Sequence, residues 1–264
     1  MGESKESVGS DGKRQSGCLW FDELSTVEAK QAANDGTVII IPVGSVEEHG
    51  EHLPLCTDSV QPEYVALEVA RKTGCLVAPT LRYGVCNQTR NFAGTISISF
   101  DSLRAIVLDI LEEFVRNGFR KLLILSGHAG SAHMMALRLA AEEVLTKNNV
   151  NSDPIRIMVL SDYDFAYELK GNQFPLEDGH AGTIETSRMI AIRPDLRKSI
   201  GKASFPSMPR FEVLAHAERY FPSGVRGDPT IATESKGRML NSYIIEKVTE
   251  LVKDLNGRPN ANPS

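Results

Sequence analysis

The 264-residue chain is 41% hydrophobic and 24% charged, with a formal net charge of −5. Its length suits one large α/β domain or two small ones, its charge gives no broad basic field for nucleic acid or an anionic membrane, and its longest apolar runs are too short to span a bilayer. Residues 1–17 are polar without the apolar core of a signal peptide, and the four cysteines (Cys18, Cys56, Cys75, Cys86) have no CxxC spacing and read as reduced thiols, so a soluble cytoplasmic protein is expected.

Between disordered polar tails at 1–17 and 258–264, a single domain is expected over 18–257. An apolar run at 37–43 predicts a buried strand, followed by a helix over 61–72. Strand 75–79, helix 102–117, strand 121–125, helix 132–147 and strand 155–160 come next, then helices over 184–192 and 236–255. The helix over 102–117 is well patterned: Leu103, Val107, Ile110, Leu111 and Phe114 recur at helical spacing, with Asp101 or Ser102 to cap its start and Gly118 to end it. Stretches 161–183 and 197–235 carry Gly, Pro and aromatics without a period, as lids and binding loops do. Alternating strands and helices predict an α/β fold, a mostly parallel sheet covered by helices on both faces.

Polar clusters follow three of the predicted strands, on the edge where open α/β sheets bind ligands. The first, after strand 37–43, reads Glu47-Glu-His-Gly-Glu-His-Leu-Pro-Leu-Cys-Thr-Asp58, and in it Glu47, Glu48, His49, His52 and Asp58 could each ligate a metal or move a proton. Carboxylates and imidazoles at the end of a core strand carry a desolvation cost, which a divalent cation would offset. Glu47 and His49, two apart in extended backbone, point the same way. Asp58 returns after a turn and could bridge two cations. The second cluster, Ser126-Gly-His128-Ala-Gly-Ser131, would add an imidazole nitrogen; the third is Ser161-Asp162-Tyr163-Asp164. A fourth, Asp178-Gly-His180-Ala-Gly-Thr-Ile-Glu185-Thr186, leads into a helix. Oxygen and imidazole donors without an obvious thiolate suit Zn, Mn or Fe. Two such ions activate a bridging water, so metal-assisted hydrolysis is the reaction class.

Singly, each residue has a plainer reading. His128 could cap a helix, and 127–131 could cradle a phosphate, with Ser131 among its ligands. Glu185 could simply answer a helix dipole. Glu51 reads as a solvated charge, Cys56 as a small buried residue, and Asp162 and Asp164 as turn caps. His133 and His216 stand alone and receive no role. The joint pattern is what rises above these readings.

The run Gly44-Ser-Val-Glu-Glu-His-Gly-Glu-His-Leu-Pro-Leu-Cys-Thr-Asp58 resembles the first signature of the creatininase (creatinine amidohydrolase) family. Asn91-Phe-Ala-Gly-Thr-Ile-Ser97 resembles its pocket loop, Ser126-Gly-His128 its second metal segment, Asp178 to Ser187 its late signature, and Gly224-Val-Arg-Gly-Asp-Pro229 a further segment. The resemblance implies a three-layer α/β/α sandwich, a homo-oligomer, often a hexamer, and one or two divalent ions. It implies that Glu47 and His49 each bind one metal, that Asp58 bridges, that His128 shares the metal of Glu47, and that His180 shuttles a proton, with Glu48 as a second catalytic candidate. His52 then falls behind the ligands or in a pocket wall, and Glu48 and Glu51 orient the loop or meet solvent. In creatininase proper a Glu stands where this chain has Gly130; either Glu185 supplies that carboxylate, or only one metal is held tightly. Creatininase proper also encloses its substrate with tryptophans near the late signature. The one tryptophan here is Trp20, and Leu176 precedes the late signature, with Tyr163, Tyr167 or Phe174 as possible substitutes. A C–N bond in a small molecule or a peptide is therefore the expected target, in a cyclic amide other than creatinine, in a formylamino-pyrimidine nucleotide, or in a modified peptide.

Overall fold

The structure is a computed structural model that describes residues 19–148 and 154–257. The tails expected at 1–17 and 258–264, and Cys18, lie outside the described residues. Four strands, β1 (Ile39–Val43), β2 (Leu76–Val77), β3 (Lys121–Ser126) and β4 (Arg156–Ser161), pair in parallel in the order β2-β1-β3-β4. The helices are α1 (Thr26–Asn34), α2 (Thr57–Thr73), α3 (Phe100–Arg116), α4 (Ser131–Asn148), the single-turn α5 (Tyr163–Ala166), α6 (Thr183–Ile192) and α7 (Glu234–Gly257). No helix among the described residues is long and apolar enough to cross a membrane.

Side chains alternate across each strand, which sends half of every strand into each of two cores. Ile40, Leu123 and Leu125 pack with α2, α6 and α7. Ile39, Ile41, Val43, Leu122 and Ile124 pack with α1, α3 and α4. This is the expected α/β/α sandwich. Because β1 and β3 are buried on both faces, they read as continuous apolar runs rather than as alternating ones.

Three differences from the sequence reading have local causes. Helix α1 was not expected: only Ala32 of it is buried, so its apolar period is weak. Its signal is a capping box, in which Ser25 N donates to Glu28 Oε2 (2.8 Å) and Ser25 Oγ accepts from Glu28 N (3.4 Å). Helix α3 starts at Phe100, capped by Ser99 Oγ accepting from Ser102 N (3.1 Å), and not by Asp101 or Ser102. Helix α2 begins at Thr57, well before 61; Pro62 inside it disguises the first turn, and that turn carries Asp58.

The topology creates the crevice. β1 continues through α2 on one face, β3 through α4 on the other, so the two loops diverge at the carboxyl ends of adjacent strands. Two glycines let the start of α2 reach into this gap. A Cβ on Gly44, just after β1, would lie 2.5 Å from the Asp58 carbonyl, and one on Gly127, just after β3, 2.2 Å from it. Asp58 is thus held between the two strand ends by backbone contacts that no other residue type permits.

Candidate active site

The loops after β1 and β3 and the first turns of α2 and α6 bring Glu47, His49, Asp58, His128 and Glu185 into one buried cluster. His128 Nε2–H donates to the Val85 carbonyl (3.0 Å), which leaves Nδ1 facing Glu47 Oε2 at 2.8 Å and Asp58 Oδ2 at 3.0 Å. His49 Nδ1–H donates to the Glu47 carbonyl (3.1 Å), which leaves Nε2 facing Asp58 Oδ1 at 3.0 Å and Glu185 Oε2 at 3.3 Å. Tying the outer nitrogen to a carbonyl is how proteins aim an imidazole at a metal. His49 Nε2 is fully buried and makes no hydrogen bond, despite the two oxygens beside it. Ligand atoms about 2.1 Å from a shared ion lie roughly 3.0–3.4 Å from one another. Most of these spacings match that range, so the donor set fits divalent cations, which Glu47, His49, Asp58, His128 and Glu185 would hold.

Supporting contacts fix the carboxylates. Ser45 Oγ donates to Asp58 Oδ2 (2.7 Å), Thr89 Oγ1 donates to Glu47 Oε1, and the Ala181 N–H donates to Glu185 Oε2 (2.6 Å). Gly130 has no carboxylate and no room for one as placed, since a Cβ there would lie 2.6 Å from His128 Nε2. Glu185, in the first turn of α6, stands beside His49 instead.

The charges respond as a cation site should. Burial opposes charge on every group. Even so, the His49 and His128 rings hold the Asp58 carboxyl well below its usual range, and His128 lowers that of Glu47. Against the same burial, Asp58 and Glu185 raise His49, and Glu47 and Asp58 raise His128, each well above an ordinary imidazole. Burial keeps Glu185 raised. The negative charge of three clustered carboxylates is what the imidazoles answer, and divalent ions would answer it more fully.

Glu48 neither meets solvent nor joins the donor set. It is buried, accepts from Gly50 N (2.9 Å) through Oε2, and approaches His180 Nε2 (3.1 Å) through Oε1. His180 Nε2 also lies 2.9 Å from the Glu48 carbonyl. Burial and the His49 ring, 4.4 Å away, disfavour charge on His180, but Glu48 and its acidic neighbours outweigh them and raise it. His180, His49 and Glu185 also form a group whose ligand atoms lie within 4.8 Å of one another. Glu47, Asp58, His128, His180 and Glu185 all line one cavity of about 470 Å³.

Several residues differ from their sequence readings. His133, given no role, is fully buried under His128, at 4.8 Å and edge-on; its Nδ1 accepts from Val85 N (3.3 Å) and its Nε2 lies 3.1 Å from Ser126 Oγ. His128 is not a helix cap, because its ring turns to the carboxylates. His52 is fully buried and bonds Thr186 Oγ1 (3.0 Å), locking the first loop to α6; burial lowers it to about 4 and keeps it neutral. Asp162 is no turn cap: it is fully buried and paired with Arg188 (2.6 Å), whereas Asp164 does accept from Ser161 N (3.0 Å). Cys56 is only half-buried. Cys86, read as a plain thiol, groups with Glu47 and His128 within 4.8 Å, and burial followed by Glu47 pushes its thiol up to about 12. No spacing pattern marks that position. The cavity wall comes from Asn87, Gln88 and Thr89 rather than from 91–97; Tyr163 and Tyr167 line it, Phe174 packs in the core, and Leu176 is exposed. Glu51 is exposed, as expected of a solvated charge, and His216, given no role, is exposed as well.

Comparison with known proteins finds relatives over most of the chain. A family model described as creatinine amidohydrolase matches residues 22–252. The chain is 28% identical to the creatinine amidohydrolase of Pseudomonas putida, over 86% of this chain and 92% of that protein. It is 33% identical to a mycofactocin precursor peptide peptidase of Mycobacterium ulcerans, over 85% of this chain and 88% of that protein. A crystal structure of creatinine amidohydrolase superposes with a TM-score of 0.84 at 26% identity, covering 92% of this chain and all of that one. Two further creatininase structures, each with a TM-score of 0.82 over 92% of this chain and all of theirs, are described as a Zn–Zn type (26% identical) and a Mn form (25% identical).

Proposed function

The chain belongs to the creatininase family and is a metal-dependent amidohydrolase, and from that premise we propose that it hydrolyses a C–N amide bond other than that of creatinine, in a small acylated molecule or a peptide. One observation carries the reading: two buried imidazoles each present an inner nitrogen to two carboxylate oxygens, and Asp58 is common to both. In this proposal Glu47, His128 and Asp58 hold one ion, and His49, Asp58 and Glu185 the other. When bound, such ions activate a water and polarise the scissile carbonyl. Support for a substrate other than creatinine comes from the cavity wall, where tyrosines and polar side chains stand and no tryptophan does. The peptidase relative favours a peptide over a cyclic amide.

The remaining chemistry belongs to His180 and Glu48. Nε2–H of His180 donates to Glu48, which fixes the tautomer and leaves Nδ1 unprotonated, able to take a proton from the attacking water and then pass it to the departing nitrogen. His180→Ala is expected to lower kcat by about 10²–10³-fold with both metals retained. Glu48→Gln, which weakens only the orientation of that ring, should cost about 10–100-fold. Metal analysis beside steady-state kinetics checks both. Loss of a metal from the His180 variant would instead make His180 a ligand.

Glu185 decides the metal count. Glu185→Gln is expected to reduce tightly held metal from two equivalents to one, read by mass spectrometry of the desalted protein. Two retained equivalents would remove Glu185 from the ligand set. The activity itself is tested by stripping the protein with a chelator and offering it acylated amines and short peptides before and after zinc or manganese is restored. Undiminished turnover in the stripped protein would end the proposal.

A further inference from the structure

One cation, Arg226, lines the same cavity as the carboxylates. Its loop is tied to the site by its backbone: Arg226 N–H donates to the His180 carbonyl (2.8 Å). The guanidinium lies 4.6 Å from the Phe221 ring, and Nη2 donates to Gln88 Oε1 (2.9 Å). Stacking and a side-chain amide hold the plane of the guanidinium without neutralising it. Its Nε–H is buried without a hydrogen-bond partner, and no carboxylate among the described residues pairs with it. Arg188, which is fully buried, also leaves one N–H, Nη1, without a partner, but its charge is met by Asp162; Arg226 is half-buried and has no such ion pair among the described residues.

A buried guanidinium N–H without a partner is costly unless something else completes it. An oxyanion completes it best, because the guanidinium edge matches two oxygens held in a plane. The three site carboxylates face the imidazoles, and Glu48, which also acts on Arg226 electrostatically, is occupied by Gly50 N and His180 and forms no ion pair with it. Resting on the amidohydrolase reading, we propose that Arg226 is the specificity-determining residue of this cavity, and that the substrate carries an anionic oxygen group, carboxylate or phosphate, close to the scissile C–N bond. The cavity then has two ends with separate tasks. The carboxylate end takes the amide through the metals, and the arginine end takes the charge and sets which C–N bond is presented.

The test uses probes that bind at both ends. Hydroxamates chelate metals, so the monohydroxamates of malonate, succinate and glutarate are titrated calorimetrically into the zinc-loaded protein, beside the matching terminal amides and terminal phosphonates. Acetohydroxamate, which has no second group, reports the metal end alone. At one chain length or more, the acid or the phosphonate should bind roughly tenfold tighter than the amide. Arg226→Gln should bring that ratio close to one, and Arg226→Lys should keep part of it. Zinc content and melting temperature show that each variant is folded and loaded. The stronger of the two anionic arms identifies carboxylate or phosphate. If acetohydroxamate binds but no chain length separates the anions from the amide, or if the preference survives in Arg226→Gln, the assignment of Arg226 fails and the metal reading stands. If no hydroxamate binds at all, the metal reading fails and takes this one with it.

Discussion

Asp58→Asn is expected to strip both metals and to lower kcat by on the order of 10³-fold or more, with the secondary structure unchanged. Each oxygen of Asp58 serves a different imidazole: Oδ1 lies 3.0 Å from His49 and Oδ2 3.0 Å from His128. Asparagine keeps the shape but replaces one acceptor oxygen by an NH₂ group, whose hydrogens would bond an imidazole lone pair that a cation needs. It also removes a full negative charge from a site where burial makes each charge count. A thousandfold loss corresponds to about 4 kcal/mol of transition-state stabilisation, within what an ion supplies by polarising a carbonyl and activating water. The fold should survive, because Gly44 and Gly127 hold the start of α2 through its backbone and not through this side chain. Glu47→Gln should cost the ion of His128 alone, leaving that of His49. Metal analysis, circular dichroism and kinetics on the two variants separate these outcomes. An Asp58→Asn protein that keeps two equivalents of metal would show that the carboxylate does not bridge.

The first signature and the strand ends were legible because two short-range signals coincide there. An apolar run long enough for a strand stops at Val43, and polar donors at spacing two begin at Glu47. The ambiguity at Glu185 was physical: an acid in the first turn of a helix is favoured by the dipole alone. Only its distance of 3.3 Å from His49 separates the ligand reading from that one. What stayed hidden depends on contacts far apart in sequence. His133 and Cys86 lie against His128 because the loop after Gly84 folds over β3, and nothing local at either position announces it. The start of α2 was hidden by Pro62, whose usual meaning is a break. Arg226 reads as one more loop arginine until the cavity exists to give it a position.

Asp162 is the plainest case of a residue whose meaning is tertiary, and the second large effect is expected there. Asp162→Ala and Arg188→Met, made singly, should each destabilise the fold by about 3–5 kcal/mol, because each strands the other's charge in a dry interior. Both side chains are wholly buried, and the pair sits under the site. Arg188 also donates to Asn241 Oδ1 (2.9 Å) and lies 5.4 Å from the Tyr163 ring, and against the cost of burial Asp162 keeps its guanidinium charged. Yet Asp162 Oδ1 and Arg188 Nη1 lack partners, so the pair recovers only part of its desolvation cost. The double variant Asp162→Leu with Arg188→Met should therefore regain most of the loss, since a packed apolar pair of similar volume carries no such cost. Recovered stability should not bring full function. Tyr163 Oη donates to Gln61 Oε1 (2.7 Å) and Gln61 Nε2 to the Glu185 carbonyl (3.2 Å), so the ion pair braces the turn that aims Glu185. Affinity for the ion beside His49 should fall about 10–100-fold in the double variant while the ion beside His128 is unaffected. Denaturant unfolding of the two single variants and the double one, with metal titration of the double, measures both halves. Single variants that lose less than about 1 kcal/mol would mean that water reaches the pair, and unchanged metal affinity in the double would mean that Glu185 is held by α6 alone.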